Sequence, residues 1–227
     1  MKRWMTPMPM PMPITMTMAM CACLSAAVCL AAFKQHHAVN FGGQFDYYML
    51  SLSWAPNYCA GHPGDHSIEC RTGQHANFVL HGLWPQASAG QPPTSCAPAS
   101  PVAAATVRHM LDYYASRGLI QHEWATHGTC SGLSAADYFG KVEQAFNAVK
   151  VPDQYRSLDR TRNLSVKEIE QNFASANNAD AGAFRVSCHG GELVNLEICM
   201  NKDLQYQACT SSVRECPSPQ VLLRPVK

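Results

Sequence analysis

Phe45–Trp54 reads FDYYMLSLSW, with Tyr48, Leu50, Leu52 and Trp54 alternating with smaller or more polar neighbours. A period of two with large apolar residues on one side is the pattern of a β-strand with one face buried. Pro56 stops it. Asn57–His75 reads as a loop rich in Gly, His and Asp, and Asn77–His81 (NFVLH) as a second short strand ending at Gly82. After a Pro/Ala/Ser/Gly loop over Ser88–Ser100, the pattern turns helical. Ser100 caps a helix with Pro101 at its first position, running to about Arg117 and stopped by Gly118. Ser134 opens another, whose apolar stripe Tyr138, Val142, Ala145, Phe146, Val149 lasts until Pro152. Ser165 and Glu168 form a capping box for a third, with Val166, Ile169 and Phe173 facing inward until about Ala176. The period then returns to two. FRVSC (Phe184–Cys188) and ELVNLEIC (Glu192–Cys199), separated by Gly190-Gly191, read as a hairpin. Strands, then helices, then strands, with no internal repeat, predict a single α+β domain on an antiparallel β-sheet.

The first residues do not belong to that domain. Lys2 and Arg3 precede a Met/Pro alternation and then an apolar, small-residue run from Ile14 to Ala32, which Lys34 and two histidines end. This is the layout of a secretory signal peptide over residues 1–32, followed by a polar linker over 33–44 and a catalytic domain over 45–227. A retained membrane anchor is the competing reading, disfavoured by the run's Ala, Ser and Thr content. Three of the 11 cysteines fall in the leader. The remaining eight (Cys59, Cys70, Cys96, Cys130, Cys188, Cys199, Cys209, Cys216) predict a disulfide framework in a secreted or periplasmic protein, with the pairing left open by spacing alone. They contain no Cys-x-x-Cys, so a compact zinc site has little support.

Charge narrows the partners. Removing Lys2 and Arg3 from the 17 basic residues leaves 15 against 16 acidic ones. A near-neutral surface argues against sequence-independent duplex binding, which rests on many cationic contacts to phosphates. An enzyme that grips only a few nucleotides remains possible.

Two segments carry the chemistry. In FVLHGLWPQ (Phe78–Gln86), His81 at a strand end stands beside the aromatic Trp84, with Gly82 permitting a tight turn. Alone, His81 reads as a structural histidine and Trp84 as core. In HEWATHGTC (His122–Cys130), His122, Glu123 and His127 cluster within six positions. The cluster imitates a zinc-hydrolase signature, but that motif needs its histidines four apart on one helix face. Five apart, His122 and His127 would diverge by about 140° on a helix, so no metal is expected.

Together the two segments closely resemble the active-site segments of the RNase T2 family. The likeness extends to the opening strand with its cysteine loop and to the cysteine-rich tail, from about Phe45 to Cys216. It implies an antiparallel sheet flanked by helices. It also implies endonucleolytic cleavage of single-stranded RNA with low base specificity, through a 2′,3′-cyclic phosphate and without a cofactor. The expected form is a monomer with no stable membrane association once the leader is removed. On this resemblance His127 is the general base, His81 the general acid, His122 a phosphate contact and Glu123 a stabiliser of the phosphoryl oxygens. Trp84 and Gln86 would meet a base. The resemblance also implies the pairs Cys59–Cys70, Cys96–Cys130, Cys188–Cys216 and Cys199–Cys209, the second tying the two active segments together. One position departs. Where the family usually carries a lysine, this chain has Thr126, which can offer the substrate a hydrogen bond but no charge; Arg117 and Lys141 are candidates for a substitute. That departure motivates the alternative of a catalytically weak RNA-binding or toxin-like relative.

Overall fold

The computed structural model describes residues 42–227. The expected signal peptide, and all but the end of the linker, lie outside the described residues. Tyr47–Trp54 forms β1 and Phe78–Gln86 forms β2, with a short helix α1 (Ala55–Gly61) after the first. Helices α2 (Ala104–Met110), α3 (Arg117–Thr126), α4 (Ala135–Ala148) and α5 (Asp153–Arg156) follow. The chain closes with β3 (Arg162–Ser165), α6 (Val166–Asn177), β4 (Phe184–His189), β5 (Glu192–Met200) and β6 (Gln220–Leu223). The fold is α+β in one domain. Neighbouring strands run β2-β1-β5-β6-β3, with β4 also on β5. All pairings are antiparallel except β5 with β6, which meet in parallel through Glu192 and Leu222. The sheet is therefore mixed rather than wholly antiparallel. Among the described residues, no helix is long and apolar enough to cross a membrane.

The alternation in β1 assigns its two faces. Tyr48, Leu50, Leu52 and Trp54 point into the main core beneath α4 and α6, against Tyr138, Phe139, Val142, Ile169 and Phe173. Burying such side chains contributes roughly 1.5–3 kcal/mol each, which makes the sheet a firm base for the opposite face. On that face Tyr47 and Met49 join Cys199 and Val213 in a small second cluster, leaving Ser51 and Ser53 in the middle of the sheet.

Several boundaries differ from the sequence reading. Pro56 ends β1 by starting a helix, at whose first turn its missing N–H costs nothing. The helix expected from Ser100 to Arg117 is shorter: α2 starts after Ala103 without a side-chain cap, turns occupy 111–116, and a second helix, α3, starts at Arg117. Ser116 caps the second by accepting from Leu119 N, so Gly118 lies inside α3 instead of stopping a helix. Ser134 caps α4 as expected, accepting from Asp137 N. Ser165 precedes α6 but makes no side-chain cap bond, because it is held in β3 opposite Gln220. The β4–β5 hairpin turns through Gly190 and Gly191 at φ 58° and 80°, a left-handed pair that glycine adopts without a Cβ penalty.

Candidate active site

β2 does not end at Gly82; it runs on through Trp84 and Pro85 to Gln86. Proline is tolerated because β2 is the last strand on its side of the sheet, where an N–H is dispensable. The pairing with β1 slips once: Ser51 faces Gly82 while Leu52 faces Leu80, leaving His81 as the extra residue of a β-bulge. Side chains alternate faces in a regular strand, so His81 and Trp84, three apart, would point to opposite sides. The bulge shifts the phase. Both rings now share one side, with centroids 5.1 Å apart and edge to face.

Trp84 organises what comes from α3. Its indole Nε1 donates to Glu123 Oε2 at 2.7 Å, and its ring is stacked by His127 at 4.9 Å and 24°. Glu123 is fully buried. It reaches the sheet only because Gly82 has no side chain. A Cβ there would collide with the carboxylate oxygen and with Trp84 Nε1, and lie 2.8 Å from Glu123 Cδ. Gly128 makes a similar allowance, since a Cβ would press on Trp124 and lie 2.9 Å from Tyr138 Cδ1. Tyr138 in turn donates to the Leu83 carbonyl at 2.8 Å, fastening α4 to β2 beneath the site.

His127 is the residue where α3 stops, at φ −115°. The sequence reading separated it from His122 by helical geometry, and that argument fails because His127 has left the helix. The rings of His122 and His127 are 6.4 Å apart, and donor atoms of His122, Glu123 and His127 all lie within 4.8 Å of one another. These three could approach one cation, so spacing alone does not rule a metal out. Thr126 Oγ1 lies 3.5 Å from His122 Nδ1. The two candidates for its missing charge are elsewhere. Arg117 opens α3, about 13 Å along the axis. Lys141 donates to the Lys202 carbonyl and sits over Tyr48, a residue of the opposite sheet face.

The disulfides join Cys59–Cys70, Cys96–Cys130, Cys188–Cys216 and Cys199–Cys209, the four pairs the resemblance implies. Beside Cys96, Ser95 N donates to the Thr126 carbonyl at 2.7 Å. The loop after β2 is thus clamped twice to the end of α3, which keeps the segment bearing His81 in register with the segment bearing His127.

Burial dominates the electrostatics. It raises the Glu123 carboxyl to about 7, partly opposed by the Trp84 hydrogen bond. It lowers His127 to about 4, reinforced by repulsion from His122 and His81. His81 is also lowered, by burial and by His122, against the polar side chain of Asn195, which favours its charged form. Glu123 Oε1 and His127 Nδ1 are buried without a protein hydrogen-bond partner, and an unmet buried polar group costs about 1–3 kcal/mol.

Of the two expected base-binding residues, Trp84 has one ring face covered by His127 and its N–H engaged by Glu123. Gln86 is buried at the end of β2, opposite Tyr47. Ser53 and Asn195, close to His81, carry no distinctive sequence signal: Asn195 is one of three polar residues in β5, with Glu192 and Glu197.

Residues 45–209 match the model of the Ribonuclease T2 family. The chain belongs to the ribonuclease T2 family. A relative from Aeromonas hydrophila, named "Ribonuclease", is 33% identical over 201 residues, covering 82% of this chain and 88% of its own. "Ribonuclease DdI" of Dictyostelium discoideum is 27% identical over 199 residues, covering 76% and 85%. Among solved structures, an RNase-related protein from Calystegia sepium superposes with a TM-score of 0.64 at 22% identity, over 81% of this chain and 98% of that one. At that identity the likeness concerns the fold alone. Membership of the T2 family supports ribonuclease activity, with RNA as the substrate.

Proposed function

We propose that this chain is an endoribonuclease that cleaves single-stranded RNA by transphosphorylation, without metal, using His81 and His127 as an acid–base pair. The observation that carries the reading is the arrangement of both imidazoles against one indole, within 5.1 Å and 4.9 Å of Trp84, beside a buried carboxyl. RNA brings its own nucleophile, the ribose 2′-hydroxyl. His127, kept neutral by burial, takes the 2′-OH proton as the O2′–P bond forms. His81, entering protonated, gives its proton to the 5′-oxygen as the P–O5′ bond breaks. The products are a 2′,3′-cyclic phosphate end and a free 5′-hydroxyl. DNA lacks the 2′-hydroxyl and cannot react this way.

Glu123 is protonated over most of the range in which the pair can work, because its carboxyl titrates near 7. It then acts as a hydrogen-bond donor to a phosphoryl oxygen, as other carboxylic acids kept neutral by apolar sites do. His122 contacts the same phosphate. Thr126 supplies a hydroxyl where a cation is usual, which slows the reaction without removing any proton carrier. The cavities of about 660 Å³ between α6 and the 215–219 loop and of about 390 Å³ beside Val79 and Phe146 contain none of the site histidines; chemistry, not size, selects the site. The four disulfides fit a secreted or periplasmic location.

One assay tests this. The protein is incubated with a single-stranded RNA in EDTA, and the ends are analysed. Cyclic-phosphate ends are expected. Binding without cleavage would point to a weak RNA-binding relative, and cleavage abolished by EDTA to a metal at His122, Glu123 and His127.

A further inference from the structure

His81 has neighbours on its far side that none of these roles use. Ser53 on β1 and Asn195 on β5 face one another in the sheet, on the same face as the bulge that presents His81. Ser53 Oγ donates to Asn195 Oδ1 at 2.8 Å and lies 3.4 Å from His81 Nδ1. Asn195 is 91% buried, being 9% exposed.

Hydrogen-bond bookkeeping fixes the direction of this chain. A serine hydroxyl has one proton. Ser53 commits it to Asn195, so toward His81 it can only accept. The nitrogen that faces it must then carry hydrogen. We propose that Ser53 and Asn195 are a positioning pair that holds His81 as its Nδ1–H tautomer, leaving Nε2 as the nitrogen that carries and releases the transferable proton. The inference rests on His81 being the general acid, but its geometric part does not. When Nε2–H passes its proton to the 5′-oxygen, the ring left behind is the neutral Nδ1–H form, already satisfied by Ser53, and no ring flip is needed. While the ring is charged, its contact to Ser53 becomes a charge-assisted bond, which draws a 3.4 Å contact shorter.

The pair also supports the cation that the acid must be. The titratable groups around His81 are His122 and His127 from the end of α3, with Glu123 behind Trp84. Glu197 lies two residues along β5 on the same sheet face. Of these, His122 works against protonation of His81, and the Asn195 contact is what opposes it. Asn195 is thus a polar acceptor where the surrounding imidazoles give repulsion.

The test uses two readouts on the whole protein. Long-range ¹H–¹⁵N NMR reads the His81 tautomer directly, with no RNA present. The wild type is expected to show Nδ1 protonated and Nε2 bare above the His81 midpoint; the opposite tautomer overturns the proposal. Ser53→Ala and Asn195→Ala should lower the His81 midpoint by about 0.5 pH unit or more, the scale of one lost neutral hydrogen bond. Asn195→Asp, isosteric and anionic, should raise it. The alkaline limb of kcat/KM should move in the same directions while the acidic limb, set by His127, stays put. A merely structural Asn195 would lower Tm in Asn195→Ala and leave tautomer and limb unmoved, which also overturns the proposal. Should Asn195→Ala fail to fold, Ser53→Ala and Asn195→Asp decide. If the wild type cuts no RNA, the functional reading fails, and the tautomer still decides the pair.

Discussion

Glu123→Gln separates what the buried carboxyl does for stability from what it does for catalysis. Burial carries this group from its ordinary 4.5 to about 7. That displacement corresponds to about 3 kcal/mol between the protonated and ionised forms. The folded pKa lies above the unfolded one, so the stability is fully present below 4.5 and is lost as pH rises through 7. The wild type therefore gives up about 3 kcal/mol between pH 4.5 and 8 on account of Glu123 alone, and a glutamine, which does not ionise, gives up none. At about 2–4 °C per kcal/mol for a chain of this size, the Tm difference between variant and wild type should shift in the variant's favour by about 6–12 °C from pH 4.5 to pH 8. The change with pH is the informative quantity. The amide itself introduces a buried NH₂ whose cost is the same at both values. Thermal melts by circular dichroism at pH 4.5, 6 and 8 measure it. A Tm difference that does not change with pH would refute the premise that the carboxyl is held neutral. Activity should follow the donor: Glu123→Gln keeps one and retains more turnover than Glu123→Ala, which should lose about 10²–10³ in kcat.

The rate of RNA cleavage should be bell-shaped in pH: kcat/KM rises through about 4 as His127 loses its proton and falls below the ordinary histidine value of 6.5 as His81 loses its own. An optimum above pH 7, or a flat profile from 4 to 9, contradicts the assignment. Gly82→Ala should displace Glu123 and cost about 1–3 kcal/mol by overpacking, with a loss of turnover at temperatures where the protein stays folded. Gly140→Ala on α4, where a Cβ meets nothing within 4 Å, should raise Tm, and a similar outcome at both glycines would remove the argument about space. Thr126→Lys should raise kcat about tenfold or more by returning a cation to the phosphate; an unchanged kcat in steady-state assays would show that the missing charge does not limit the rate.

What could be read from the sequence was local. The alternation of Tyr48, Leu50, Leu52 and Trp54, the Ser134 cap and the Gly190-Gly191 turn each depend on residues a few positions apart, and each appears in the structure. The misreadings were of residues whose reasons lie far along the chain. Gly82 reads as a strand end, yet it is there to admit a carboxyl 41 positions later. Gly118 reads as a helix stop, but the cap at Ser116 places it inside the next helix. Nothing local shows that His127 stacks on Trp84. His122 and His127 looked incompatible on a helix because the point where α3 ends depends on packing against Tyr138 and on the Cys96–Cys130 link. Ser53 and Asn195 are 142 positions apart, and only strand pairing brings them to one imidazole.

The single surplus residue in β2 makes that strand a message read in steps of two. Without His81 the strand would alternate regularly, with Gly82 still opposite Ser51, Leu83 opposite Leu50 and Trp84 opposite Met49. Deleting that one residue would therefore leave the indole on its present face and remove only the imidazole. The sheet does not need the surplus residue; the site does.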